Sequence, residues 1–458
     1  MMLLHTLDKV LQEGWDDVFA QKRTLARARE HAIGLTCCFG RRTISRTICA
    51  MGRQNQDWSA DYKIYSRSPW KEDELFDPVI TEYLKRYPRG YINVAFDDTM
   101  TPKQGKKIKD AFWQRDPMSP PFHVNLIWGL RFAQASMLFS HYHEGNFDAR
   151  AIPLRFWDAP ALRKPGKRAS EEKKKHYKEM KKTHNLSVLF LAQMRNVRKS
   201  LDDHGAYDRK MLSSVDGSLC NQTIFKGELD RTEIIARCRK DARLCFPAPP
   251  GSRRKYGQVK FTPEDVRQDE TIPWETARIH FGGAWRPIRY KEVNKVYWQR
   301  GAGRKELRLI VIAPQPYKLS RNSRTNYRKP SYQLSTDTTG PVTPLIQAYF
   351  DRLQIEVNNR EEKDILGVGQ AQVWSEQSVS RQPAFAVAVY SMLLLASIKA
   401  YGPGRTDDYI PLPKWRKNAR RPSILDLITL VRKDINETQN SGYADRNIPQ
   451  NTAMYAYT

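Results

Sequence analysis

Tyr91-Ile92-Asn93-Val94-Ala95-Phe96-Asp97-Asp98 is the stretch on which the fold turns. Ile92, Val94 and Phe96 recur at every second position, the period of a strand with one buried face. The strand reads as ending in two adjacent carboxylates. A second stretch, Lys210-Met211-Leu212-Ser213-Ser214-Val215-Asp216-Gly217, has the same form: a short strand, an acid at its exit, and a glycine that permits a tight turn. Carboxylates at the ends of separate strands converge at one edge of a sheet. Asp97 and Asp216 are therefore the first candidates for a shared site. Oxygen-only ligands suit hard divalent cations such as Mg²⁺ or Mn²⁺.

Around these two strands the sequence alternates helix and strand, which defines an α/β chain. Residues 1–88 read as helical. Within them Thr43–Met51, beside Arg41, Arg42 and Arg46, fits the second half of a helix-turn-helix or a plain small bundle. Residues 89–246 carry further strands at 122–140, 151–157 and 232–246. A charge run over 163–182, with ten basic residues against Glu171, Glu172 and Glu179, leads into a helix at 186–201. Residues 247–340 are punctuated by Pro247, Pro249, Pro250 and Gly251. They read as a β-rich insertion with strands at 277–281, 285–290, 294–299, 306–313 and 331–335. Gly301-Ala302-Gly303-Arg304 reads as a hairpin turn. Residues 341–437 return to helix, and 438–458 form a polar tail.

The bulk chemistry narrows the function. Among 458 residues, 77 Lys plus Arg face 50 Asp plus Glu, a net charge of +27. The surplus recurs along the whole chain and attracts a polyanion, with nucleic acid ahead of an anionic membrane. The longest apolar run, Ala384 to Ile398, is shorter than the roughly 20 residues of a spanning helix. It reads as a buried core helix, so no membrane role is expected. Six scattered cysteines without a Cys-x-x-Cys pair support neither a disulfide framework nor structural zinc, and suit a reducing cytoplasmic setting.

A third acid must come from another element. The helix expected over 343–363 places Tyr349, Arg352, Glu356 and Lys363 at offsets of 3, 7 and 14 residues. At about 100° per residue these fall within roughly 60° of one another. A phenol, a guanidinium, a carboxylate and an ammonium on one stripe do not make a core face. Ile346, Phe350, Leu353 and Val357 are expected to be buried instead.

Tyr349-x₂-Arg352-x₃-Glu356-x₆-Lys363 resembles the Tyr-Arg-Glu-Lys signature of bacterial insertion-sequence transposases of the DDE superfamily, whose catalytic core is RNase H-like. Phe96-Asp97-Asp98-Thr99 with Pro102-Lys103-x-Gly105-Lys106 resembles their first acidic motif, and Val215-Asp216-Gly217-Ser218 their second. Gly367-Val368-Gly369-Gln370-Ala371-Gln372 and the stretch from Gln377 to Pro383 extend the likeness, which covers about residues 91–400.

The resemblance implies an RNase H-like mixed sheet, interrupted by the β-rich insertion; that the helical region before it binds transposon ends is expected from its charge and position alone. It implies two Mg²⁺ ions, replaceable by Mn²⁺, on Asp97, Asp216 and Glu356, with Asp97 rather than Asp98 as primary ligand. Tyr349, Arg352 and Lys363 would contact the DNA backbone. Trp285 would stack on an extruded base, although packing is the ordinary role of Trp274, Trp285 and Trp298. The activity implied is cut-and-paste transposition: cleavage at terminal inverted repeats and strand transfer into target DNA by a homodimer. The alternatives are an RNase H-like endonuclease without strand transfer and an inactive DNA-binding relative. His141 and His143 with Glu144 lack a third ligand close in sequence and read as surface polarity.

Overall fold

The computed structural model describes residues 2–116, 119–120, 122–320, 322–416 and 419–440. Its strands are β1 (Ile92–Pro102), β2 (Phe112–Arg115), β3 (Leu126–Phe139), β4 (Arg150–Asp158), β5 (Met211–Val215), β6 (Thr232–Arg237), β7 (Glu275–Phe281), β8 (Ala284–Tyr297), β9 (Glu306–Ile312), the short pair β10 (Pro316–Tyr317) and β11 (Asn326–Tyr327), and β12 (Ser331–Ser335). The helices are α1 (Met2–Trp15), α2 (Lys22–Cys37), α3 (Ile44–Ala50), α4 (Ser59–Ser66), α5 (Asp77–Arg86), α6 (Glu171–Thr183), α7 (Leu186–Asp203), α8 (Gln222–Lys226), α9 (Pro263–Gln268), α10 (Gln299–Ala302), α11 (Val342–Asp351), α12 (Leu353–Asp364), α13 (Glu376–Tyr401) and α14 (Ile424–Asn440).

The fold is α/β, built on one ten-stranded mixed sheet. Along it β3, β1, β5, β6, β12, β9, β8 and β7 are successive neighbours, with β2 and β4 both on the outer edge of β3. β1, β5 and β6 are parallel, and β3 is antiparallel to β1 and to β4. The order β4-β3-β1-β5-β6 with only β3 reversed is consistent with an RNase H-like core. The β-rich segment does not form a separate sheet: β12 pairs with β6, so β9, β8 and β7 extend the central one.

Several elements differ from the sequence expectations for identifiable reasons. β1 does not stop at the two acids. β3 is long enough to pair it from Val94↔Met137 to Pro102↔Gly129, so Asp97 and Asp98 lie mid-strand. The strand expected over 232–246 ends at Arg237, where β12 stops pairing with it. The two strands expected at 285–290 and 294–299 are one bent strand, β8, whose register slips between Val293 and Val296 around Lys295 at φ 56°. The hairpin turn expected at Gly301 is a single helical turn, α10, closed by Gly303 at φ 59°. The tail expected from 438 starts later, because α14 runs to Asn440; the rest of that tail lies outside the described residues.

α13 is the axis of the helical layer. Phe385 at its centre meets Trp15, Tyr65 and Trp70, with ring centroids 5.4, 5.5 and 6.4 Å away. Helices before β1 and after β12 therefore share one hydrophobic core, from Leu3 to Ile435. By length and composition α13 could cross a bilayer, yet 83% of its most apolar window is buried inside the protein. The short α3 buries Ile44, Thr47 and Ile48 and leaves Ser45 and Arg46 exposed. Ser423 caps α14: its hydroxyl accepts from Asp426 N at 3.2 Å, and Ser423 N donates to Asp426 Oδ2 at 2.7 Å. All six cysteines are free.

Candidate active site

Successive residues of β1 face opposite sides of the sheet. Ala95 and Asp97 share one face with Ser136 and Gln134, their cross-strand partners on β3. α12 covers this face, with Ile355 packed on Ala95, Leu138 and Ala151. Phe96 and Asp98 look the other way. Phe96 meets Phe190 of α7, ring to ring at 6.3 Å, and Asp98 pairs with Arg131 Nε at 3.2 Å. The two adjacent acids are thus separated by the pleat, and Asp97 is the one on the α12 side.

Parallel register sets the second acid beside the first. Phe96 is level with Val215, so Asp97 is level with Asp216 where β5 ends. Asp216 Oδ1 accepts from Ser218 N at 2.9 Å, Ser218 Oγ at 2.7 Å and Leu219 N at 3.3 Å, which fixes the turn. Burial pushes the Asp97 carboxyl up to about 7; Arg352 pulls it down, and the charges of Asp98 and Asp216 push it up. Asp98 is raised as well, chiefly by burial, against the pull of Arg131.

The helix expected to be continuous breaks at Arg352 into α11 and α12. The buried Arg352 guanidinium lies 5.9 Å from the Tyr349 ring and bonds Glu356 Oε1 through Nη2 at 3.2 Å. Tyr349 stands within electrostatic reach of Arg352, Arg237 and Asp216. Tyr349, Arg352, Asp97 and Asp216 therefore form one neighbourhood, and Glu356 is tied to it through Arg352. Lys363 is two turns further on, about 10 Å along the axis, beside the buried Glu362.

Trp285 is placed elsewhere. It packs edge-on against Tyr142 and His280, at 5.3 and 5.4 Å. It lines a hollow of about 800 Å³ with Tyr91 and Lys210, the residues that precede β1 and β5. That is the opposite end of these strands from the acids, about 20 Å away at 3.3 Å per residue. His141 is buried rather than a surface group, with Nδ1 3.5 Å from Glu144 Oε1.

The buried stripe of α12 was not legible as core. Leu353 is 44% exposed, whereas Ile355, Asn358, Glu361 and Glu362 are buried. Their partners are polar: Gln134 Nε2 donates to Glu362 Oε1 at 3.0 Å, Asn358 Nδ2 to Ser136 Oγ at 3.3 Å, and Tyr390 OH to Glu361 Oε2 at 2.6 Å. Burial pushes Glu362 up to about 8. A sheet face that carries Gln134, Ser136 and Asp97 selects polar residues on the helix above it, which reverses the usual hydrophobic pattern. Lys103, also buried, donates to Gly369 O and Ala371 O at 2.9 Å each and pins the loop after α12 near the end of β1. Gly369 sits there at φ 87°, where a Cβ would come within 2.5 Å of Thr101 Cβ.

An open cleft of about 1010 Å³ begins at Asp216 and Gly217 and runs past Arg237, Arg239, Lys240 and Lys329. Arg237 ends β6, Arg239 and Lys240 follow it, and Lys329 precedes β12, so the sheet aims them at the same edge as the acids.

Among the described residues, no three His, Cys, Asp or Glu side chains stand close enough to share a metal ion. Glu356 Oε1 accepts from Arg352 Nη2 and not directly from the neighbourhood of either strand acid. The donor set still suits a hard cation: two carboxylates at neighbouring strand positions, one of them destabilised as an anion by burial and by the other.

Comparison with protein-family models and with curated proteins finds no match for this chain.

Proposed function

We propose that this chain is a DNA transposase that cuts at transposon ends and joins the freed strand to target DNA. The observation that carries the reading is the juxtaposition of Asp97 and Asp216 beneath the Arg352–Glu356 turn of α11 and α12, at the mouth of a basic cleft. Strand-level carboxylates beside an open cleft in which Arg and Lys outnumber Asp and Glu suit phosphodiester chemistry.

Asp97, Asp216 and Glu356 would hold the divalent ions, Mg²⁺ or Mn²⁺. Bound there, the ions would activate the attacking oxygen and stabilise the leaving one. The protein's own groups do the rest. Asp97, whose carboxyl burial raises to about 7, would hold a cation as its carboxylate. Arg352 exchanges its bond to Glu356 for a substrate phosphate, which frees the third carboxylate. Tyr349 and Arg237 fix a non-reacting phosphate beside Asp216. Lys363 would grip the backbone further along α12. The DNA partners are terminal inverted repeats and target duplex, and a homodimer would hold two ends together. Trp285 lies at the far end of β1 and β5 from these acids, so a base stacked on it would sit in the hollow it lines and not beside Asp97 and Asp216.

The test is cleavage of a labelled duplex that carries the element's end, with Mg²⁺, followed by joining of a pre-cleaved end. Joined product supports transposition. Cleavage without joining leaves an endonuclease. Binding without cleavage marks an inactive relative, a reading favoured by the closed Arg352–Glu356 pair.

A further inference from the structure

α6 (Glu171–Thr183) is a helix without a core. None of its thirteen residues is buried, and only Lys174, Tyr177 and Met180 are partly shielded. Local signals account for its helicity: the Ser170 hydroxyl accepts from Lys173 N at 3.4 Å, Glu171 and Glu172 occupy the first turn, and Lys181 and Lys182 the last. Thirteen residues held only by such signals are marginal in water.

The charges are arranged on one side. At about 100° per residue, Lys174, Lys175, Lys178, Lys181 and Lys182 fall within roughly 120°. Only Lys174 has an acidic partner at salt-bridge distance, Glu171 at 2.8 Å. The rest repel one another at spacings of three and four residues, which weakens the helix. The loop before it adds exposed Arg163, Lys164, Lys167 and Arg168. No packing role offsets this repulsion.

The helix also rises at the acid end of the sheet. It is followed at once by α7, whose Ser187 Oγ accepts from Asn221 Nδ2 at 2.9 Å; the same Nδ2 donates to Ser218 O at 2.9 Å, and Ser218 holds Asp216. The basic cleft lies on the β6 side of Asp216, and α6 on the α7 side.

We infer that α6 is a phosphate rail that clamps duplex DNA on the flank of the site away from the cleft, and that it becomes firmly helical only when DNA neutralises its lysine stripe. The inference rests on the DNA reading above. Lys175 to Lys182 spans about 10 Å of axis, along which a duplex presents about six phosphate charges. With Tyr177 and Met180 as its only sizeable apolar groups, the helix lacks the face that a membrane surface requires.

The experiment is salt-dependent binding of the full chain to a thirty-base-pair duplex, wild type against Lys175→Gln, Lys178→Gln, Lys181→Gln and Lys182→Gln combined. Glutamine keeps helix propensity, and with no buried residue in α6 the thermal transition should not move. The slope of log K against log salt should fall by about 3.6 if all four lysines contact phosphate, and affinity by at least tenfold at 0.1 M salt. An unchanged slope with metal-dependent cleavage intact would overturn the rail and leave the DNA reading standing. Failure of the wild type to bind duplex at all overturns both. Loss confined to vesicles of anionic phospholipid, with duplex binding unchanged, would also overturn the rail and reassign α6 to a membrane surface.

Discussion

Arg352 bonds Glu356 at 3.2 Å while its charge draws down the Asp97 carboxyl on the strand beneath. One buried guanidinium thus serves two carboxylates that the proposed reaction needs for another purpose. Glu356 is 56% exposed, and its bond to Arg352 spans one turn. Glutamine at this position keeps an oxygen that can accept from the buried Arg352 guanidinium. Glu356→Gln should therefore leave the melting temperature and duplex binding essentially unchanged while abolishing Mg²⁺-dependent cleavage. Retained cleavage would remove Glu356 from the site.

The two acids of β1 make opposite predictions. Asp97 shares a face with α12, whereas Asp98 pairs with Arg131 on the other. Asp97→Asn should eliminate cleavage and raise stability, because it removes a carboxyl that burial disfavours as an anion. Asp98→Asn should leave measurable cleavage, reduced mainly through the loosened Arg131. Equal loss in both variants, measured as single-turnover rates, would show that the pleat does not divide their roles.

Protonation of Asp97 gives the site a pH signature. The folded value near 7 lies above the unfolded value of 3.8, so the native state binds the extra proton between them. Stability contributed at this position is present at low pH and is lost as pH rises from about 4 to about 7. A bound Mg²⁺ favours the ionised form, so the gain in melting temperature on adding Mg²⁺ should grow from pH 5.5 to pH 8. It should shrink in Asp97→Asn. In Arg352→Gln the growth should shift to higher pH, since the group that lowers Asp97 is gone. A metal-induced shift that is flat with pH would contradict the assignment.

How much of this was legible follows from which interactions are local. The strands β1 and β5 and the two acids were readable because alternation and an exit glycine are local signals. That Asp97 lies mid-strand was not, since it depends on how far β3 runs, 37 residues later at Gln134. The buried stripe of α12 was hidden for a related reason. Hydrophobicity places Leu353 and Val357 inside, but the face awaiting them is polar, so Asn358 and Glu362 are buried instead. Trp285 lies beside the β7–β8 turn, and which end of the sheet that turn reaches is set by the antiparallel pairing of β8 with β9, which is not a local signal.

The last prediction concerns the helical layer. Phe385 is fully buried and touches Trp15, Tyr65 and Trp70, residues from both ends of the N-terminal region. Truncation there leaves a cavity walled by three large rings that cannot all collapse inward. Phe385→Ala should cost about 3–5 kcal/mol. Because one core runs from Leu3 to Ile435, the loss should appear as a lower midpoint of a single cooperative transition, followed by tryptophan fluorescence and by circular dichroism. An early, separate transition reported by tryptophan fluorescence alone would instead mean that the N-terminal helices fold independently and dock only weakly on α13.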